Sequence, residues 1–127
     1  MKISSFPVSP GDTAYCLICI TATTTASVYF SNLSSGLATT SFTIYAPKGT
    51  SLVGNCAEWI VEAPTVGGSI AKLADYGMVY FDACIAGYAS GTMKSSAGNN
   101  INMTSGSTVI SQGSLVGDSA VKCFFTG

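Results

Sequence analysis

The stretch Ala57-Glu58-Trp59-Ile60-Val61-Glu62 brings two of the chain's six carboxylates and its only Trp into one short run. If this run is a β-strand, Glu58, Ile60 and Glu62 share one face, and Trp59 and Val61 share the other. A carboxylate that a sheet holds among apolar neighbours is either paired or has a shifted pKa. Because the chain has no His, these glutamates are also the best candidates for a general base.

The spacing of the two glutamates decides whether they could act together. Four residues of strand separate their side chains by roughly 13 Å, which exceeds the roughly 5–9.5 Å between paired carboxylates in glycoside hydrolysis. A catalytic glutamate here therefore needs a partner from elsewhere in the molecule. The alternative is that both face solvent on an ordinary strand and that Trp59 belongs to the core. Three aspartates near strand ends or turns are expected to be surface groups: Asp75, Asp82 and Asp118.

The rest of the chain follows a β pattern, with no stripe of helical period. Short runs of β-branched and apolar residues alternate with turns rich in Gly, Ser, Asn and Pro, which is typical of an antiparallel sandwich or barrel. Strands are predicted at residues 13–25, 27–32, 38–45, 57–62, 75–83, 100–104, 108–111 and 120–125. Loops are predicted at 47–54 and 63–73, and residues 88–102 are expected to be weakly structured. The first strand is apolar on both faces, so we expect it to be covered on both sides.

Composition narrows the class of protein. A chain of 127 residues predicts a single domain, 1–127. Apolar residues make up 47% and charged residues 9%, which excludes a disordered chain. The net charge is −1, with five Lys and no Arg, so nucleic-acid binding is excluded as a function. Few charges and no His fit a protein that works in acid, although a simply acidic surface is an equal alternative.

The five cysteines indicate disulfides more than a metal site. Cys16 and Cys19 lack a second Cys pair and any His that would complete a zinc site, so we expect no metal and no cofactor. Disulfides fit a Ser/Thr-rich secreted β protein, and Cys84 with Cys123 is the expected pair. The odd count leaves at least one thiol free or paired outside the chain.

Three local features bear on localisation. The stretch Met1–Pro7 lacks the apolar region of a signal peptide, and no stretch is long enough to span a membrane. The motifs Asn32-Leu33-Ser34 and Asn102-Met103-Thr104 are N-glycosylation sequons. Whether either sequon is used stays open.

Several motifs together resemble the glutamic peptidases (eqolisins). Cys56-Ala57-Glu58-Trp59-Ile60-Val61-Glu62, followed by Pro64-Thr65-Val66-Gly67-Gly68, looks like the family's signature. Val8-Ser9-Pro10-Gly11-Asp12 resembles a turn before the family's central meander, and Phe30 to Gly36 resembles its Asn-Leu-Thr-Thr-Gly hairpin. Leu73 to Gly77 and the stretch from Ile101 to Phe125 also fit, so the resemblance spans nearly the whole chain.

The resemblance implies a secreted acid endopeptidase built as an antiparallel β-sandwich of two packed sheets. It implies that Glu62 is the catalytic general base, which activates a water for attack on a peptide bond. Glu58 matches the motif's other, non-catalytic glutamate. A Gln amide completes the family's catalytic pair by holding the water and stabilising the oxyanion. The substrate would be a peptide or protein, and the substrate-binding residues are unknown.

The chain departs from the family at that glutamine. Its only glutamine, Gln112, lies near the C-terminus and does not match the catalytic one, which belongs to the family's N-terminal portion. We therefore expect an incomplete sandwich that is inactive alone and that an N-terminal segment could complete. The alternative is a non-catalytic β-sandwich for binding or self-assembly, with a homo-oligomer formed through open strand edges. A third possibility is a sugar-binding sandwich that uses exposed aromatic side chains.

Overall fold

The structure, a computed structural model, describes residue 3 and residues 5–127. Over these residues the chain is all-β, with twelve strands and one 3₁₀ turn at Ser95–Ala97. Every strand pairing is antiparallel. Two compact units divide the chain, one ending at Asn55 and the other formed by Cys56–Gly127. The predicted antiparallel β class is confirmed, while the single domain 1–127 stays a prediction.

The first unit contains the strands predicted at 13–25, 27–32 and 38–45. It consists of β1 (Ala14–Ala22), β2 (Thr25–Asn32), β3 (Leu37–Ala38) and β4 (Phe42–Tyr45). The strand β2 is central, because it pairs with β1 on one side and with β3 and β4 on the other. The strand predicted at 38–45 is split in two, since the Thr39 hydroxyl accepts the Phe30 N–H that a continuous ladder would use.

The prediction that the first strand is covered on both faces is wrong. All nine residues of β1 are exposed, including Ile18 at 60%. Among the residues that the structure describes, β1 pairs with β2 alone. The apolar residues on both faces predicted a strand correctly, but its burial depends on neighbouring layers that a local pattern does not specify.

A buried polar network joins the start of the first unit to its hairpin. Asn32 is completely buried, and its amide nitrogen donates to Asp12 Oδ2 at 2.8 Å and to the Pro7 carbonyl at 3.2 Å. Its Oδ1 accepts the backbone N–H groups of Ser34 and Ser35. Hydrogen bonds from the Ser9 N–H and from Asn32 hold the pKa of Asp12 below its ordinary value of 3.8.

The lowered pKa of Asp12 predicts how Asp12→Asn affects stability against pH. A carboxyl with a lowered pKa in the folded state stabilises the protein above its ordinary pKa, and this contribution is lost as pH falls through the lower folded value. We expect Asp12→Asn to lower the melting temperature at neutral pH, and the difference from the unmodified protein to shrink in strong acid. Thermal melts over a pH series measure this, and a pH-independent difference would contradict it.

The second unit is built on a four-stranded sheet ordered β10-β11-β12-β7. Its strands are β7 (Met78–Phe81), β10 (Met103–Ser105), β11 (Thr108–Val116) and β12 (Ala120–Phe125). Residues that lie directly opposite each other share a face, so the register groups one set of side chains on the inner face. These inner-face residues are Val79, Phe81, Met103, Ser111, Gly113, Leu115, Val121, Cys123 and Phe125. The core consists of buried Cys84, Val121 and Cys123.

Two hairpins of the second unit were not predicted. Residues 63–73, expected to be a loop, contain β5 (Thr65–Val66) and β6 (Ser69–Ile70). Gly67 and Gly68 both have positive φ, 60° and 83°, as a type I′ hairpin turn requires. The region predicted to be weakly structured contains β9 (Gly91–Lys94), which pairs with β8 (Ile85–Tyr88).

The five cysteines are free thiols, so the expected Cys84–Cys123 disulfide is not formed. Both side chains nevertheless belong to the same buried cluster, and burial raises the pKa of each thiol. The other three cysteines, Cys16, Cys19 and Cys56, are exposed.

This division predicts selective thiol chemistry. A thiol-disulfide reagent should label the three exposed cysteines in the native protein and the two buried cysteines only after unfolding, because a buried, protonated thiol is a poor nucleophile. Peptide mapping of the labelled protein, with and without denaturant, gives the count at each cysteine. Rapid native labelling of Cys84 would contradict the described core.

Candidate active site

The run 57–62 alternates as the sequence indicated but is not a strand. Trp59 and Val61 are half-buried, whereas Glu58, Ile60 and Glu62 are exposed. The run lacks strand pairing, so the prediction of a strand at 57–62 is wrong although the predicted faces are right. The two glutamates were also expected among apolar neighbours, and their exposure corrects that expectation.

The run is anchored by two side chains. Trp59 and Val61 pack against the buried cluster of Cys84, Val121 and Cys123. Since Val121 and Cys123 lie on the inner face of β12, the run crosses over that face instead of extending the sheet at an edge. Trp59, which was expected in the core, is half-buried and packs against the core cluster.

The backbone of this run is unpaired. Residues 56–63 form no hydrogen bond with any residue that the structure describes. An extended segment that presents free N–H and C=O groups along its length can accept another strand. The run therefore combines packed side chains on one face with an open backbone edge.

Glu62 lies on the wall of a cavity of about 960 Å³. Lys72 and the hydroxyl residues Thr65, Thr104 and Ser105 line the same cavity. Within the described residues the Glu62 carboxylate forms no ion pair or hydrogen bond. An exposed carboxylate on a cavity wall can contact a bound substrate and a water at once, as a general base must.

Glu58 lies on a different cavity, of about 600 Å³. Cys56 and Lys94 line it from the sides, and Ser111 and Gly113 of the sheet's inner face form part of its floor. The two glutamates therefore belong to separate concave sites, in agreement with the strand-spacing argument that they do not form a dyad.

The other polar candidates lie away from the Glu62 cavity. Gln112 is exposed on β11 opposite Phe124, and it lines neither cavity. Asp75 accepts the Gly77 N–H in a turn, and Asp118 pairs with Lys94 at 3.6 Å. Together with exposed Asp82, these aspartates are the surface groups that the sequence predicted.

The sequence did not indicate the Glu58 cavity. Its buried floor residue Ser111 is hydrogen-bonded to the Tyr76 hydroxyl at 2.6 Å. Small residues at alternating positions of β11, Ser111 and Gly113, were the available signal, since they leave space above the sheet that larger side chains would fill.

Comparison with known proteins places this geometry in a family. The sequence profile of the Peptidase A4 family matches residues 1–125, so the chain belongs to this family, the glutamic peptidases. The crystal structure of aspergilloglutamic peptidase from Aspergillus niger is similar, with a TM-score of 0.86 and 26% sequence identity. The match covers 98% of this chain and 72% of that one. No curated protein sequence matches the chain significantly.

This likeness confirms the predicted family and fold class, an all-β chain with the antiparallel β-sandwich fold of aspergilloglutamic peptidase. In the part of the chain that the structure describes, no helix is long and apolar enough to cross a membrane.

Proposed function

We propose that this chain is the glutamate-bearing part of a secreted acid endopeptidase in which Glu62 is the general base. Glu62 takes a proton from a water that attacks the scissile carbonyl and then returns the proton to the leaving amine. The observation that carries the proposal is the exposed Glu62 carboxylate on a large cavity, within the stretch that matches a peptidase family. The substrate is a peptide or protein, and no metal or cofactor takes part.

The second catalytic group is proposed to come from a polypeptide outside these 127 residues. Gln112 does not line the Glu62 cavity, and removing an oxyanion donor lowers kcat by about 10²–10³. The unpaired backbone at 56–63 is the edge that a completing strand would join. In the same pairing that strand would bring its glutamine amide to Glu62.

Complementation tests this proposal. The chain is assayed alone and after refolding with the portion of aspergilloglutamic peptidase that has no counterpart in the match. We expect peptide hydrolysis at acidic pH only in the complemented sample, since an isolated general base neither binds nor orients the substrate. Hydrolysis by the chain alone, or a folded complex without activity, would overturn the proposal.

The second candidate function is non-catalytic self-assembly, and the strand β1 favours it. This strand has nine residues, no charge, no Gly and no Pro, and its outer edge pairs with none of the residues that the structure describes. Native proteins protect such edges with charges or Pro, and β1 has neither, although its register with β2 shifts once, between Ile20 and Ala22. We propose that β1 of a second copy pairs with this edge, because two uncharged antiparallel edges meet without repulsion.

Ile18→Lys tests self-assembly. Ile18 lies at the centre of β1 and is exposed, so a lysine there places like charges near each other in a β1–β1 pair and should shift a dimer to monomer. Sedimentation velocity measures the change. The matched control is Ile85→Lys on β8, which is also exposed and should leave the oligomeric state unchanged. A monomeric unmodified protein, or equal effects of the two variants, would contradict this function.

A further inference from the structure

The two sequons of the chain lie in opposite structural environments. Asn32 is completely buried at the end of β2, whereas Asn102 is exposed just before β10. N-glycosylation joins a large, hydrated oligosaccharide to the amide nitrogen of the asparagine, so the folded protein must place that nitrogen at its surface with room for the sugar. The two sites can therefore be compared atom by atom.

The amide nitrogen of Asn32 is already fully used. It donates to Asp12 Oδ2 and to the Pro7 carbonyl, which accounts for both of its hydrogens. The sequon hydroxyl is engaged as well, because Ser34 Oγ accepts the Thr13 N–H at 2.9 Å. A glycan on Asn32 would need to break this network and open the hairpin.

The side chain of Asn102 is held by its oxygen alone. Its Oδ1 accepts the Gly113 N–H at 3.2 Å, and its nitrogen donates to none of the residues that the structure describes. This hydrogen bond orients the Asn102 amide with its oxygen towards Gly113, which leaves the nitrogen available for attachment of a sugar. Thr104, the sequon hydroxyl, is also exposed.

The surroundings of Asn102 leave room for an oligosaccharide. In the described part of the chain, β10 pairs with β11 alone and is therefore an edge strand. The neighbouring Ile101 is 83% exposed. Asn102 and Ile101 both line the Glu58 cavity, and a glycan on Asn102 would leave the hydrogen bond to its Oδ1 in place while it shields the apolar Ile101 side chain from solvent.

We infer that Asn102 is an N-glycosylation site and that Asn32 is not, although both carry the sequon. The donor is a lipid-linked oligosaccharide diphosphate. The Asn102 amide nitrogen forms a bond to the anomeric carbon of the first sugar, the bond from that carbon to the diphosphate oxygen breaks, and the amide loses one proton as the lipid diphosphate leaves. The inference rests on the secretion that the proposed function includes.

The test expresses the full chain in yeast behind a supplied secretion leader, so that its outcome does not depend on how the natural protein is exported. Glycans are removed enzymatically in heavy-oxygen water, which marks each formerly glycosylated asparagine as a labelled aspartate for peptide mass spectrometry. We expect the label at Asn102 only. Thr104→Ala, which keeps the Asn102 side chain, should abolish the electrophoretic shift that deglycosylation causes, and Ser34→Ala should leave it unchanged.

Folding failure does not hide the result. Occupancy is measured in the secreted protein and also in the intracellular pool, so a retained variant is still scored. An unmodified Asn102 in both pools would overturn the inference, and so would a labelled Asn32 in soluble, secreted protein. Occupancy of Asn102 in both pools, with Asn32 unmodified in the secreted protein, supports it.

Discussion

Glu62→Gln is expected to lower the peptide hydrolysis of the complemented protein by about 10²–10⁴-fold, the contribution typical of a positioned general base. Glutamine is nearly isosteric with glutamate, and Glu62 is exposed without a described hydrogen bond or ion pair. The replacement should therefore preserve folding and complex formation while it removes the group that accepts the proton. Initial rates on a quenched fluorescent peptide at acidic pH measure the loss.

The matched control is Glu58→Gln. Glu58 is also exposed and lies four residues away on the same run, but it lines the other cavity. Its replacement should leave the rate close to that of the unmodified complex. If Glu58→Gln caused the loss and Glu62→Gln did not, the assignment of the general base would be wrong. If neither had an effect, the catalytic glutamate mechanism would be wrong for this chain.

Asn32→Ala is expected to destabilise the first unit by about 2–4 kcal/mol. The replacement removes the partner of four hydrogen bonds, each worth about 1 kcal/mol net, and leaves buried polar groups without partners. It should also bring the pKa of Asp12 nearer its ordinary value, since the Asn32 amide is one of the two groups that lower it. Urea denaturation monitored by the tyrosines of this unit measures the change.

Asn102→Ala is the matched control for Asn32→Ala. It removes an exposed asparagine with a single described hydrogen bond, so the free energy of unfolding should change by less than about 1 kcal/mol. Equal destabilisation by the two variants would show that the Asn32 network does not stabilise the folded chain. Protein made without glycosylation keeps this comparison independent of any modification.

The local sequence pattern predicted the positions of strands, and the faces of their residues, where the pairing strands lie nearby in the same chain. The strand predicted at 120–125 is β12, because its alternation matches a sheet whose other strands lie nearby in the sequence. The faces of Glu62 and Trp59 were predicted for the same reason, since alternation depends only on an extended backbone. The hairpin of β8 and β9 was missed because its two-residue turn, Ala89-Ser90, carries none of the usual glycine or asparagine signals.

The local sequence pattern could not predict which strands pair or which residues are buried, because both depend on residues that are distant in the sequence. An extended run becomes a strand only when a neighbour bonds to its backbone, and the run at 57–62 lies over a sheet face without such a neighbour. Likewise, β1 has the composition of a covered strand yet is exposed, because cover comes from other layers. The Cys84–Cys123 pair was predicted as a disulfide from position alone, and both lie in one cluster as free thiols.

The unpaired backbone at 56–63 bears on how accurately Glu62 is placed. Catalytic groups need to be held within about 0.5 Å of their productive positions, and a hydrogen-bonded ladder normally supplies that rigidity. Here Trp59 and Val61 fix the run by packing alone, and Glu62 lies beyond the second of these anchors. The Glu62 carboxylate would then be held in its productive position only when a strand joins the run. Assembly of the site and alignment of its proton acceptor would be one event.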